Sequence, residues 1–330
     1  MVSADQLEQA LLQARQQAVA QTGDPRAGFF GPRSACWQVN REAILLLGGG
    51  AAALLQLAHP FVAQAVFDHS RVRRDVAGRF RRTFVRVLNL SFGDLDTATA
   101  TARRVFKVHE QVAGALRHAG PAYVGTPRYA ANDESALFWV QATLIDTALR
   151  VFEDLVEPLP DDRREQFYAG SLAMSRLFGL SPQNLPHDLS QFRLYYDGML
   201  GSPRLSVTPE ARELASHILT PPSLAAAPLY RFVRAYTAWL LPEPLRDAFG
   251  LRLAIPDRVV LSAGRLSIRR VLPRLPGHLR FFPDYLDAQR RLRGEAGPDR
   301  QSHAMARRFL RLLRPRTTLR DVLTLRDVLR

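Results

Sequence analysis

Apolar residues recur along most of this 330-residue chain at intervals of three and four, the spacing of helical faces, while strand-like alternation is scarce. The pattern predicts helices near residues 40–67, 75–90, 97–119, 133–156, 161–178 and 187–200, after an amphipathic first helix over 1–21 with Leu7, Leu11 and Ala14 on one side. Further helices are expected near 225–241, 256–271, 284–293 and 297–313. Several ends are legible. Ser3 or Asp5 caps the first helix and Gly23 stops it; Asn132 stands ahead of acidic Asp133 and Glu134; Gly120-Pro121 closes a helix; Thr208-Pro209-Glu210 opens one with proline in its first turn.

The fold class is therefore all-α: a single large multi-helix domain with globin-like helical packing around a central apolar pocket. Its expected parts are an N-terminal helix over 1–24, a core over 25–200, and C-terminal helices over 201–330 that pack on that core within the same domain. The Leu200 to Pro209 loop and Thr220-Pro221-Pro222 are the strongest punctuation, and neither is long enough to separate independent domains.

Composition narrows the function classes. A hydrophobic share of 47% supports a sizeable core. The net charge of +14 comes almost wholly from arginine, since Lys107 is the only lysine, and no nucleic-acid module accompanies it. A DNA or RNA partner is not expected; an anionic surface or the propionates of a haem remain compatible. Cys36 is the sole cysteine, which excludes an internal disulfide or thiolate cluster and reads as structural. The first 21 residues lack the layout of a secretory signal. The apolar run Ala43 to Ala58 is about 16 residues against the roughly 20 needed to span a bilayer, so it reads as a buried core helix. The expectation is a cytoplasmic protein, with a membrane-peripheral position as a variant.

Candidate chemistry concentrates between Arg41 and Thr83. Gly48, Gly49 and Gly50 soften an apolar helix at a cost of roughly 1 kcal/mol each relative to alanine, so close backbone approach by a helix or a macrocycle is implied. His59 shares a face with Leu55, Val62 and Val66, His69 follows Val66 by three, and His109 lies beside the stripe of Val105, Val108, Val112 and Leu116. A neutral imidazole on a rigid helix is the commonest proximal haem ligand. A histidine on such a face is more often a core residue bonded to a carbonyl, and clusters such as Arg71, Arg73, Arg74 are usually solvated. His118, His187, His217, His278 and His303 have no functional context.

Residues from about Arg41 to Leu200 resemble the helical oxygenase family that includes the bacterial rubber oxygenases (latex-clearing proteins) and the endoplasmic-reticulum-bound MpaB-type oxygenase. The likeness rests on Arg41-Glu42 before Leu45-Leu46-Leu47-Gly48-Gly49, on Gln56-Leu57-Ala58-His59-Pro60, and on His69-Ser70. It continues through Arg79 and Thr83, His109 with Val112, and Asp133 followed by Leu137, Trp139-Val140 and Thr143-Leu144. The resemblance implies haem b bound through one histidine, dioxygen as co-substrate, and oxidation of a hydrophobic, isoprenoid or unsaturated substrate. It makes His109 the first candidate for the iron ligand, with Arg79 and Thr83 matching the distal-side motif, and His59 and His69 as pocket donors or replacement ligands. Gly49 is expected beside the cofactor.

Two departures stand out. Arg82 occupies the position of a lysine in the rubber-oxygenase branch; a guanidinium has no lone pair to bind iron, but it could pair with a propionate or stabilise a developing anion in a dry pocket. Gln141 stands where wider relatives carry histidine, and it is a hydrogen-bonding group rather than an iron ligand. The alternative is a metal-free helical protein that binds a lipid or isoprenoid. A membrane-surface variant would use the basic amphipathic stretch in which Arg307, Arg308, Arg311, Arg314 and Arg316 alternate with Phe309, Leu310, Leu312 and Leu313. A non-haem metal site would need a Glu-x-x-His repeat, and the sequence has none.

Overall fold

Ser3 opens the first helix: its hydroxyl accepts from the Gln6 N–H while the Gln6 side chain returns to the Ser3 N–H, a capping box ahead of α1 (Ala4–Thr22). Gly23 ends α1 at φ 68°, a conformation that glycine adopts without strain. In the computed structural model the described residues are 1–70 and 75–312. The helices that follow are α2 (Ala35–Asn40), α3 (Gly49–Leu57), α4 (Pro60–His69), α5 (Val76–Phe92), α6 (Leu95–Glu110), α7 (Glu134–Leu155), α8 (Asp161–Arg176) and α9 (Leu189–Leu200). They continue with α10 (Pro209–Leu219), α11 (Ala227–Leu240), α12 (Glu243–Ala248), α13 (Ile255–Val271), α14 (Gly277–Arg280), α15 (Pro283–Leu292) and α16 (Arg300–Leu312). Among the described residues the only sheet is a two-stranded ribbon, β1 (Ala113–Ala115) against β2 (Arg128–Ala130), with Gly114 opposite Tyr129. The fold is an all-α single domain. Arg71, Arg73 and Arg74, and the terminal stretch from Leu313 onward with Arg314 and Arg316, lie outside the described residues.

Helix α7 is the central element. It buries side chains around most of its circumference, among them Phe138, Trp139, Ala142, Ile145, Val151, Phe152 and Leu155, and it packs on α2, α3, α8 and α13. Trp139 donates from Nε1 to the Leu55 carbonyl at 2.9 Å and stacks on Tyr196 of α9, tying three helices together. Cys36 is buried with its thiol against the Phe167 carbonyl, which suits the structural reading.

The long helix expected over 40–67 is in fact three pieces. A 3-10 segment, Ala43–Gly48, runs into α3, and α4 begins after a sharp break. Pro60 lacks the N–H that would continue α3 and sits in the first turn of α4, while His59 caps α4 by accepting the Phe61 N–H on Nδ1 at 3.3 Å. The glycines serve helix packing. A Cβ on Gly48 would collide with Thr147 and Val151 of α7, and one on Gly50 with the Thr237 hydroxyl of α11. No single helix among the described residues is long and apolar enough to cross a membrane; the apolar run and α4 pass that test only as a pair, bent by 106°.

The helix expected over 97–119 also stops early, at Glu110, and the chain turns into β1. Val108 is 40% exposed and Val112 lies beyond the helix, so the buried face is the one carrying Leu95, Ala98, Ala102, Val105 and Phe106. Asp133, rather than Asn132, caps α7, and Asn132 is itself buried. Gly120, at φ 70°, opens a short 3-10 turn rather than closing a helix.

Candidate functional site

Helices α5 and α6 pack along much of their length, and the candidate site lies at this interface. Asp75 caps α5 through the Gly78 N–H at 2.7 Å. Arg79, Thr83 and Arg86 then fall at i, i+4 and i+7, which places them on one side of the helix. Arg79 is half-buried, and among the described residues it has neither a carboxylate nor a hydrogen-bond partner. Burial, together with the charges of Arg86 and Arg82, lowers its pKa from the usual guanidinium value, but it stays charged.

His109 sits in the last turn of α6, half-buried. Its pKa is lowered to about 4, first by burial, then by the positive charges of Arg79 and Arg86, with the Asn132 side chain acting in the opposite sense. The imidazole is therefore neutral at physiological pH and keeps a lone pair for a metal. Asn132 and Arg86 were not singled out by sequence. Arg86 could have been found from its seven-residue offset to Arg79, whereas Asn132 reads in sequence only as a cap.

The first half of α5 is unusually open for a helix in the interior of a chain. No described side chain from Val76 to Val87 is buried, although Phe80, Phe84 and Val87 are large and apolar. Phe80 and Phe84 stack with centroids 6.2 Å apart, and a Cβ on Gly49 would meet their rings at 3.7 and 3.5 Å. Gly49 thus faces phenyl rings of α5.

The other sequence candidates divide. His59 is fully buried at the α3–α4 break, its Nε2 2.9 Å from the Tyr123 hydroxyl. Because its Nδ1 accepts from the backbone, Nε2 carries the hydrogen and donates. Burial lowers its pKa to about 4 despite nearby Asp133. This imidazole has both nitrogens engaged. His69 is exposed, with Nε2 3.1 Å from the Tyr129 hydroxyl, which donates to Asp68 at 2.8 Å. Each of the three histidines thus meets a residue on or beside the β-ribbon: Tyr123, Tyr129 or Asn132.

Arg82 and Thr83 are exposed. Arg82 does not sit in a dry pocket: its side chain is 43% exposed and its guanidinium bonds to the second oxygen of the cap Asp75 at 3.2 Å, a carboxylate seven residues back at the start of the same helix. Gln141 lies in the α7–α8 interface, donating to the Ser171 carbonyl at 2.7 Å, with its Oε1 buried and unpartnered. No group of three or more His, Cys, Asp or Glu side chains able to hold a metal ion occurs among the described residues. A haem iron held by one protein ligand does not need such a group.

This all-α domain thus sets a neutral histidine of α6 within the field of an arginine of α5 that has no counter-ion among the described residues. The family described as ER-bound oxygenase mpaB/B'/rubber oxygenase, catalytic domain, matches residues 37–271, and the chain belongs to this oxygenase family. The kinship read from Arg41 to Leu200 holds and extends to the end of α13. No curated protein and no solved structure gives a significant match.

Proposed function

We propose that this protein is a haem b-dependent oxygenase that uses dioxygen on a hydrophobic, unsaturated or isoprenoid substrate. The observation that carries the reading is the proximity of His109 to Arg79 across the α5–α6 interface: a ligating form of imidazole within the field of a guanidinium that has no counter-ion among the described residues. A carboxylate-bearing, flat, apolar group satisfies both needs, supplying the metal for His109 and a propionate for Arg79. Arg86 is the second cation on the same side. Haem, when bound, supplies the redox chemistry by which dioxygen reacts.

The residues of the chain then have distinct tasks. His109 stays neutral because burial, and after it the charges of Arg79 and Arg86, disfavour its proton, so it offers a lone pair over the physiological range. Thr83, four residues beyond Arg79, supplies a hydroxyl on the same side of α5. Phe80, Phe84 and Val87 form an apolar strip on the neighbouring side of α5, beside Gly49, that suits a hydrocarbon substrate. His59 and His69 hold the surrounding elements through Tyr123 and Tyr129.

The test is an absorption spectrum. Protein produced with iron and a haem precursor should show a Soret band that His109→Ala abolishes and added imidazole restores, with His59→Asn and His69→Ala retaining it. A colourless protein that co-purifies with lipid sinks this reading in favour of a metal-free lipid carrier.

A further inference from the structure

Helix α13 is apolar on two opposite faces, and among the described residues only one is covered. Inward, Leu261 is buried, Ile268 packs in the cluster of Val151, Ala235 and Tyr236, and Gly264 admits the Phe232 ring where a Cβ would not fit. Outward, Ile255, Val259, Ala263 and Leu266 follow at i, i+4, i+8 and i+11, one helical stripe about 16 Å long. Ile255 is 79% exposed, Val259 63% and Leu266 50%, and Ala263 is exposed as well. A helix that needs only its inner face for the core has no packing reason to carry this stripe.

The charges around the stripe indicate what covers it. Arg258 and Arg270 border it and Arg252 precedes it, and none has a carboxylate partner among the described residues. The helix's one acid, Asp257, is engaged by Arg231 at 3.4 Å, while Arg265 and Arg269 turn to Asp154. The outer face is therefore apolar along its middle and cationic at its edges, without a compensating anion among the described residues. Two copies of this face would set like charges against each other. A bilayer with anionic headgroups accepts both features, taking the aliphatic side chains at the acyl boundary and the guanidiniums at the phosphates.

We propose that α13 is an interfacial helix that seats this protein on an anionic lipid bilayer with Ile255, Val259, Ala263 and Leu266 facing the lipid. The assignment is independent of the haem reading. It is tested by co-sedimenting the full chain with phosphatidylcholine vesicles containing about 30 mol% phosphatidylglycerol, and with pure phosphatidylcholine vesicles. The wild type should bind the anionic vesicles, and Val259→Glu combined with Leu266→Glu should weaken binding by at least about tenfold while leaving the melting profile unchanged. Arg258→Gln with Arg270→Gln should weaken binding less and reduce its salt sensitivity. Absence of vesicle binding overturns the proposal. So does binding untouched by the paired glutamates, which would trace it to overall charge, or a concentration-dependent dimer that those glutamates dissociate, which would make the face a contact between copies.

Discussion

Glu42 and Arg280 stand 238 positions apart in sequence and meet through two hydrogen bonds of 2.8 Å, the carboxylate fully buried beneath the guanidinium. The contact is reinforced by the Phe282 N–H on the Arg41 carbonyl at 2.9 Å and by Arg41 over the Phe281 ring at 4.6 Å. It fastens the α14–α15 corner to the start of the apolar run. Removing one partner strands a buried charge, so Glu42→Ala is expected to cost about 3–5 kcal/mol in urea unfolding. Glu42→Leu with Arg280→Met should recover much of that loss; strict additivity of the two single changes would refute the coupling.

Gly50 makes a sharper steric prediction. Its missing Cβ leaves room for the Thr237 hydroxyl, so Gly50→Ala should destabilise by about 1–3 kcal/mol despite alanine's better helix propensity. Thr237→Ala should rescue it in a double-mutant cycle. A stabilising Gly50→Ala would mean that α3 and α11 separate without cost.

His59 and His109 should make the protein acid-sensitive. Both pKa values fall from 6.5 to about 4 on folding, so the unfolded chain takes up protons first. The stability they contribute is complete above pH 6.5 and is lost as pH falls towards 4. For fully buried His59 the loss amounts to about 3 kcal/mol. His59→Asn keeps a capping acceptor for the Phe61 N–H and removes the titrating ring, so its stability profile should be flatter between pH 6.5 and 4. An unchanged slope would contradict the burial of this imidazole.

Arg79 and Arg82 should separate in haem retention. Arg79→Gln is expected to weaken it by about tenfold, the scale of one charge-assisted hydrogen bond, while Arg82→Gln, whose native guanidinium is bonded to Asp75, should leave it within about twofold. Haem titration followed by absorbance decides this, and equal losses would discard the distinction.

Cys36 should be inert. Burial pushes its thiol pKa up to about 12, so a thiol reagent at pH 8 should label it only as the chain unfolds. Rapid labelling of the native protein would show that α2 opens.

Local signals in the sequence reached far. Ser3, Thr208-Pro209 and the 3.6-residue periodicity of α7 specify their elements because capping and amphipathicity act within a few residues. The same signals place Arg79 and Thr83 on one side of α5, and they bring His109 to the edge of a buried face. They fail where the deciding contact is remote. The break at His59-Pro60 lies in an apolar run that reads as continuous, and the end of α6 at Glu110 is set by the pairing of β1 with β2. What the amino-acid order determined was helix content, most boundaries and the kinship to oxygenases. Tertiary structure alone decided that Gly48 and Gly50 answer α7 and α11, that Arg82 bonds to Asp75, and that among the described residues Arg79 stays unpaired and α13 keeps an apolar face uncovered. Each depends on which side chains arrive from tens to hundreds of residues away, and no local pattern encodes that.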